Sequence, residues 1–261
     1  TQNNGKTERE CVAEGVRQAE AKGFKNLMDV VKNGETLKAG DRVYRAWMNK
    51  DIMLFIIGEK PMECGMNILG AHIDSPRIDI KQNPLYEDEH LAYLDTHYYG
   101  GIKKYQWVAL PLALHGVVVK KDGTTVTLNI GDKPGDPVFY ISDLLIHLAA
   151  DQMGKTAAKV IEGDSLNIII GSEPKKDTDK DPVKTAILDI LKEQYSIDEE
   201  DFISAELEAV PAGHARDLGF DRSMIMGYGH DDRVCAYPSM AAVLNYEGTP
   251  EYTLAAGGAE K

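Results

Sequence analysis

His72 and Asp74 stand two residues apart at the end of the apolar run Asn67-Ile68-Leu69-Gly70-Ala71. On an extended strand that spacing puts both side chains on one face. A carboxylate beside an imidazole fixes its tautomer and raises its basicity, as it does behind a metal-bound histidine. The pair therefore reads as a metal ligand with its orienting partner. Two polar residues on a solvated strand end are the plainer alternative, since His-x-Asp alone is a weak pattern. A second chemical stretch is Gly227-Tyr228-Gly229-His230-Asp231-Asp232-Arg233. Its glycines allow a tight turn. Two adjacent carboxylates then open an apolar-periodic segment, Val234 to Leu244, where a helix dipole favours them as caps. The sharper reading is that Asp231 bridges two cations, one through each oxygen, with Asp232 in support.

The elements that position these residues follow from periodicity. Thr7-Glu8-Arg9-Glu10 has the capping-box form, and Val12, Val16 and Ala19 follow at helical spacing with Gly23 as a stop. Val43 to Met48 and Ile52 to Ile57 read as strands around Asn49-Lys50-Asp51. The next strand, ending at His72, has the continuous apolar character of a strand covered on both faces. It delivers His72 to its carboxyl end, where ligands of open α/β sheets collect. Ile78 to Ile80 continues as a short extended piece. Trp107–Leu110 and His115–Lys120 read as strands, and Lys121-Asp122-Gly123 as a hairpin turn into the return strand Thr124–Ile130. Phe139 to Met153 places Ile141, Leu144, Leu145, Leu148 and Ala149 on one helical face. Leu166–Ile170 and Ile203–Val210 read as strands. Between them Asp181-Pro182 opens a helix with Val183, Ile187, Ile190 and Leu191 inward. The fold class expected is α/β, a mixed-sheet domain in two parts, residues 1–93 and 219–261, interrupted by a β-rich block, 94–218.

Composition narrows the function. The 29 basic and 42 acidic side chains give a formal charge of −13, which argues against nucleic acid and anionic membranes as partners. No apolar run reaches the ~18 residues of a membrane span. Cys11, Cys64 and Cys235 are an odd number without close pairing, which fits a reduced, cytoplasmic compartment. The first residue is not methionine and the last ten are mostly small, so both ends are expected to be those of a fragment.

Ala71-His72-Ile73-Asp74-Ser75-Pro76-Arg77, followed after the inserted block by Gly229-His230-Asp231-Asp232-Arg233, resembles the aspartyl aminopeptidase family of dinuclear zinc metallopeptidases. Tyr98-Tyr99-Gly100-Gly101-Ile102 and Ile141-Ser142-Asp143-Leu144-Leu145-Ile146-His147-Leu148 extend the likeness, which runs from Thr7 to about Thr253. The resemblance implies a metallopeptidase domain interrupted by a dimerisation domain. It implies two Zn2+ ions, with Co2+ or Mn2+ as substitutes, and a cytoplasmic homo-oligomer built from dimers, up to a dodecamer. It also implies a peptide substrate, hydrolysed at an N-terminal, preferably acidic, residue by a metal-activated water whose proton a glutamate takes. Residue by residue, His72 matches a terminal metal ligand, Asp74 the carboxylate that orients it, and Asp231 the bridging ligand. His147 matches a histidine that reaches a neighbouring subunit's site, and a structural histidine is the competing reading for it. The other histidines match no ligand position.

The sequence also departs from the family. A Glu-Glu pair supplying the base and a ligand should follow the next strand, yet the chain reads Glu251-Tyr252-Thr253 and then small residues; Glu199-Glu200 lies in the inserted block and does not match. The expectation is a chain carrying part of a metal site. The alternative is a non-catalytic fragment or assembly partner that uses the dimerisation domain.

Overall fold

The computed structural model describes residues 2–260. In chain order the helices are α1 (Glu8–Ala21), α2 (Leu27–Lys32), α3 (Ala150–Met153), α4 (Pro182–Tyr195) and α5 (His230–Leu244). The first strands are β1 (Lys25–Asn26), β2 (Arg42–Trp47), β3 (Asp51–Ile56), β4 (Met66–His72), β5 (Arg77–Asp88), β6 (Leu91–Tyr99) and β7 (Pro111–Val119). The remainder are β8 (Thr125–Ile130), β9 (Phe139–Tyr140), β10 (Ile168–Gly171), β11 (Ala205–Pro211), β12 (Arg216–Leu218), β13 (Met224–Met226) and β14 (Thr253–Ala259). The chain divides into two compact units, 1–75 with 215–261, and 76–214. No helix among the described residues is long and apolar enough to cross a membrane.

The discontinuous unit is built on a five-stranded mixed sheet in the order β1-β2-β3-β14-β4. β14 runs antiparallel to β3 and parallel to β4, with Ala259 opposite His72. Alternate residues Tyr44, Ile52, Leu54, Ile56, Ile73 and Ala256 form one core with Val12 and Ala19 of α1 and Ala236, Met240, Val243 and Leu244 of α5. α1 starts in the expected capping box: Glu10 N–H donates to Thr7 Oγ1 at 3.3 Å, and Thr7 N–H to Glu10 Oε2 at 3.2 Å. Within α1, Arg17 and Gln18 donate to the buried Glu14 at 2.6–2.8 Å. Those partners, Arg17 foremost, hold its carboxyl down to about 2 against the cost of burial.

One expectation fails here. The strand ending at His72 is not covered on both faces: Met66 to Gly70 are exposed, and among the described residues β4 has a strand partner on one side only. α1 and α5 cover one face, and α2 lies along β1 and β2.

The other unit holds a seven-stranded sheet, β11-β5-β6-β10-β9-β7-β8, in which β11 also pairs with β7. The pairings β11–β5 and β11–β7 close six of the strands into a ring, with β8 continuing beyond β7. This unit begins at Pro76 rather than at residue 94 and ends at His214 rather than at 218, because β5 and β6 form one long hairpin. Trp107 to Leu110 is not a strand: a 3-10 turn, Lys104–Gln106, precedes it, and Ala109 has a left-handed φ of 58° that a ladder cannot use. Phe139–Met153 is not one helix either. It is β9, an irregular segment, a 3-10 turn at Ile146–Leu148 and the short α3. Only Ile141 and Ala149 of its apolar set are buried. α4 has Pro182 at its first turn, but Asp181 makes no side-chain cap; Glu87 Oε2 on β5 accepts instead from the Val183 and Lys184 N–H groups, at 2.8 and 3.0 Å. Ile190, expected inward, is exposed.

Two apolar side chains of the five-stranded sheet separate core from surface. Leu54 is 0% exposed and Ile68 59%. Leu54→Ala is expected to lower unfolding free energy by about 2–5 kcal/mol and Ile68→Ala by less than about 0.5 kcal/mol, as read from urea midpoints at constant slope. A depressed carboxylate stabilises the fold above its unfolded pKa and loses that contribution as pH falls through the folded value. Glu14→Gln should therefore flatten the acid limb of the stability–pH curve between the ordinary glutamate range and pH about 2, a change visible in denaturation midpoints measured across that window.

Candidate metal centre

The carboxyl end of β4 carries the cluster. β4 pairing with β14 continues past His72, through Ile73 N–H to the Ala259 carbonyl at 2.9 Å. Alternation therefore persists: Ile73 turns into the core, where it meets the side-chain-free Gly258, while His72 and Asp74 face the other way. A Cβ on Gly258 would lie 2.7 Å from Ile73 Cγ2, so this close packing of β14 needs glycine. His72 Nδ1 lies 3.1 Å from Oδ1 of the buried Asp74. The contact engages Nδ1 and presents Nε2 outward, and Nε2 lies 2.6 Å from Asp232 Oδ2.

α5 brings the second half of the cluster. Gly229 precedes it in the left-handed region, φ 83°, and Asp231 has non-helical angles of −80° and 119°, so the regular helix starts after it. Neither aspartate merely caps by adjacency: Asp231 and Asp232 hydrogen-bond to each other through their side chains. The Asp231 carbonyl accepts from Ser75 Oγ at 2.5 Å, tying the start of α5 to the residue after Asp74. Arg233 Nη2 donates to the Lys6 carbonyl at 2.6 Å, and its guanidinium lies 5.8 Å from the Tyr228 ring centre. Pro238 sits inside α5, where it removes one helical hydrogen bond without ending the helix.

Two carboxylates thus contact one imidazole, and a third, Asp231, bonds to one of them. Partial burial pushes the Asp232 carboxyl above the ordinary range, the bond with Asp231 adds to this, and the charges of Asp231 and Asp74 act in the same sense against the pull of His72. That frustration fits a cation. Imidazole nitrogen and carboxylate oxygen are donors suited to zinc, and an ion among them would relieve the mutual repulsion of the aspartates.

Of the residues singled out from sequence, His72, Asp74 and Asp231 lie together in this unit. His147 belongs to the 76–214 unit, on the exposed 3-10 turn Ile146–Leu148. The closest partner of His72 Nε2 is Asp232, which sequence reasoning had left as a supporting neighbour; the adjacent acids were the available signal. Ser75 was missed, and a serine after His-x-Asp carries no signal of its own. The remaining histidines have other surroundings. His115 is buried in the 76–214 unit, 3.2 Å from Asp132. His97 stacks on Tyr98, and His230 Nε2 lies 3.2 Å from the Ile225 carbonyl. All three cysteines are free thiols.

The family model described as "Aminopeptidase I zinc metalloprotease (M18)" matches residues 2–255. This chain belongs to the M18 family. A probable M18 family aminopeptidase 1 of Clostridium acetobutylicum is 62% identical over 242 residues, covering 92% of this chain and 52% of the relative. The corresponding protein of Thermotoga maritima is 46% identical over 240 residues, again 92% and 52%. The M18 chain therefore spans about half the length of the curated relatives it matches. Among solved structures, aminopeptidase I from C. acetobutylicum superposes with a TM-score of 0.90 at 57% identity, covering 99% of this chain and 57% of that one. The T. maritima M18 aminopeptidase gives 0.91 at 44%, covering 98% and 55%.

A side chain at position 229 would meet the site's frame directly, since an added Cβ would fall 1.7 Å from Arg233 Nη1 at a positive φ. Gly229→Ala should cost about 1–3 kcal/mol in unfolding free energy, seen as a lower thermal midpoint. A midpoint equal to that of the unaltered chain would show that the Arg233 contact does not fix the turn.

Proposed function

We propose that this M18 chain supplies one face of the active centre of a zinc aminopeptidase, and that His72 and the Asp231–Asp232 pair are its metal-holding groups. The observation that carries the reading is the junction of His72 Nε2 with Asp232 Oδ2, backed on the far side of the ring by buried Asp74. Asp74 keeps a proton on Nδ1 and so leaves Nε2 as the donor to a metal. Asp231, exposed beside Asp232, is the group available to bridge a pair of ions. Bound zinc lowers the pKa of a water and polarises a carbonyl, which is the chemistry that peptide hydrolysis needs.

The finer reading follows the family likeness. Two ions occupy the complete centre, Co2+ and Mn2+ can replace zinc, and N-terminal acidic residues are the preferred substrates. The protein works in the cytoplasm as a homo-oligomer assembled from dimers, with the 76–214 unit as the dimerisation domain. His147 then serves the neighbouring subunit's centre. Support comes from its surroundings: Leu144, Leu145, Ile146 and Leu148 are all exposed large apolar residues, the composition of a surface that another chain covers.

Titration calorimetry with zinc tests the first part. Binding is expected; His72→Ala should abolish it, and Asp74→Asn should weaken it about 10–100-fold. The absence of binding heat, or equal affinity in the variants, would sink the assignment. Purified alone with zinc, cobalt or manganese, the 261-residue chain is expected to leave an aspartyl or glutamyl chromogenic amide uncleaved, because this cluster has no glutamate base. Metal-dependent turnover by the purified chain would overturn that part.

A further inference from the structure

Asp231 and Asp232 are joined by one peptide group, whose carbonyl is that of Asp231. A residue inside a helix has ψ near −42° and turns its carbonyl along the axis. Asp231 has ψ 119°, so its carbonyl is turned out of that direction. It accepts from Ser75 Oγ at 2.5 Å. Ser75 is 3% exposed and directly follows Asp74, the acid that orients His72. Its hydroxyl lies close to Gly229 as well, where an added Cβ would fall 3.5 Å from Oγ. One short side chain thus connects the stretch after β4 with the turn into α5. The other holds on α5 act further along it. Arg233 Nη2 donates to the Lys6 carbonyl, and Ala236, Met240, Val243 and Leu244 pack in the core. Those contacts fix the helix, and the Ser75 bond fixes the peptide from which it starts.

A peptide group is planar, so a hydrogen bond to its carbonyl restrains the whole plane. This plane carries a carboxylate-bearing residue at each end, and holding it directs both side chains at once. We infer that Ser75 is a positioning residue of the metal centre: by gripping the Asp231–Asp232 peptide it holds Asp232 Oδ2 at 2.6 Å from His72 Nε2. The inference rests on the assignment of His72 and the Asp231–Asp232 pair as metal-holding groups. Ser75 is not itself a ligand, because its hydroxyl is engaged by the carbonyl, and it acts through the two acids. Asp74 and Ser75 then have separate duties. Asp74 decides which ring nitrogen of His72 is presented, and Ser75 decides what faces that nitrogen. Loss of such an outer partner costs a metal site about 10–100-fold in affinity, because the ligands must then be ordered on binding.

Three variants separate this role from a general loss of stability. Ser75→Ala removes the hydroxyl and Ser75→Thr keeps it. Ser239→Ala removes a different hydroxyl–carbonyl bond of α5, from Ser239 Oγ to the Cys235 carbonyl at 2.8 Å. In titration calorimetry with Zn2+, Ser75→Ala is expected to bind about 10–100-fold more weakly than the unaltered chain. Ser75→Thr should restore most of that loss, and Ser239→Ala should bind as the unaltered chain does. A metal-free crystal structure of Ser75→Ala supplies a readout that needs no zinc. There the distance from His72 Nε2 to Asp232 Oδ2 should open from 2.6 Å to beyond about 3.5 Å, out of hydrogen-bond reach. If Ser75→Ala does not fold, Ser75→Cys, whose thiol is only a weak donor, provides the same comparison. The inference is overturned if the crystal structure keeps the 2.6 Å contact, if Ser75→Ala binds zinc as tightly as the unaltered chain, or if Ser239→Ala weakens binding equally. An unaltered chain that binds no zinc, together with an opened contact in Ser75→Ala, would instead count against the metal assignment and uphold the positioning of Asp232 by Ser75.

Discussion

The pairing of β14 between β3 and β4 is the constraint on which the candidate centre depends. β14 is donated from the end of the described chain into a sheet whose other members precede residue 75. It fixes β4 in parallel register, with Ala259 opposite His72. Its glycines are part of the mechanism of fit: Gly258 receives Ile73, so the chain can turn Ile73 inward and keep His72 and Asp74 on the other side. A one-residue slip of this ladder would exchange those faces. The imidazole would then enter the apolar core and the isoleucine would stand among the carboxylates.

From that register the chemistry follows by short links. Asp74 sets the orientation of the ring, Ser75 ties down the start of α5, and α5 brings Asp232 to the other ring nitrogen with Asp231 bonded beside it. No link depends on a long or adaptable side chain. The cluster is held by backbone pairing, by an aspartate two residues away and by a serine one residue further on. Such a frame keeps like charges close before any cation is present, which is the costly part of building a metal site.

Much of this was legible in the sequence, for identifiable reasons. The capping box, the hairpin at Asp122-Gly123 and the strands β2 and β3 are set by local rules that tertiary context did not override. The His-x-Asp spacing was meaningful because a strand has a period of two. What was not legible depended on partners. The apolar spacing of Phe139 to Met153 matches a helix, but a helix of that length is stabilised mainly by packing of its apolar face, and Leu144, Leu145 and Leu148 are exposed in this unit. β6 was obscured because its hairpin turn at Glu89 and His90 uses two left-handed residues that are not glycine. The burial of β4 was read from composition, which records what a strand is suited to and not what lies over it.

The interruption of one unit by the other also sets an order of events during synthesis. The ring of the 76–214 unit closes as soon as β11 pairs with β5 and β7, all of them within that unit. The five-stranded sheet cannot close then, because β14 follows about forty residues later in the chain. As a nascent chain emerges from its N-terminus at ~5–20 residues per second, β2, β3 and β4 must wait as an unfinished sheet while the inserted ring folds. Within the described residues, the strand that locks His72 in place thus arrives only after the inserted ring is complete.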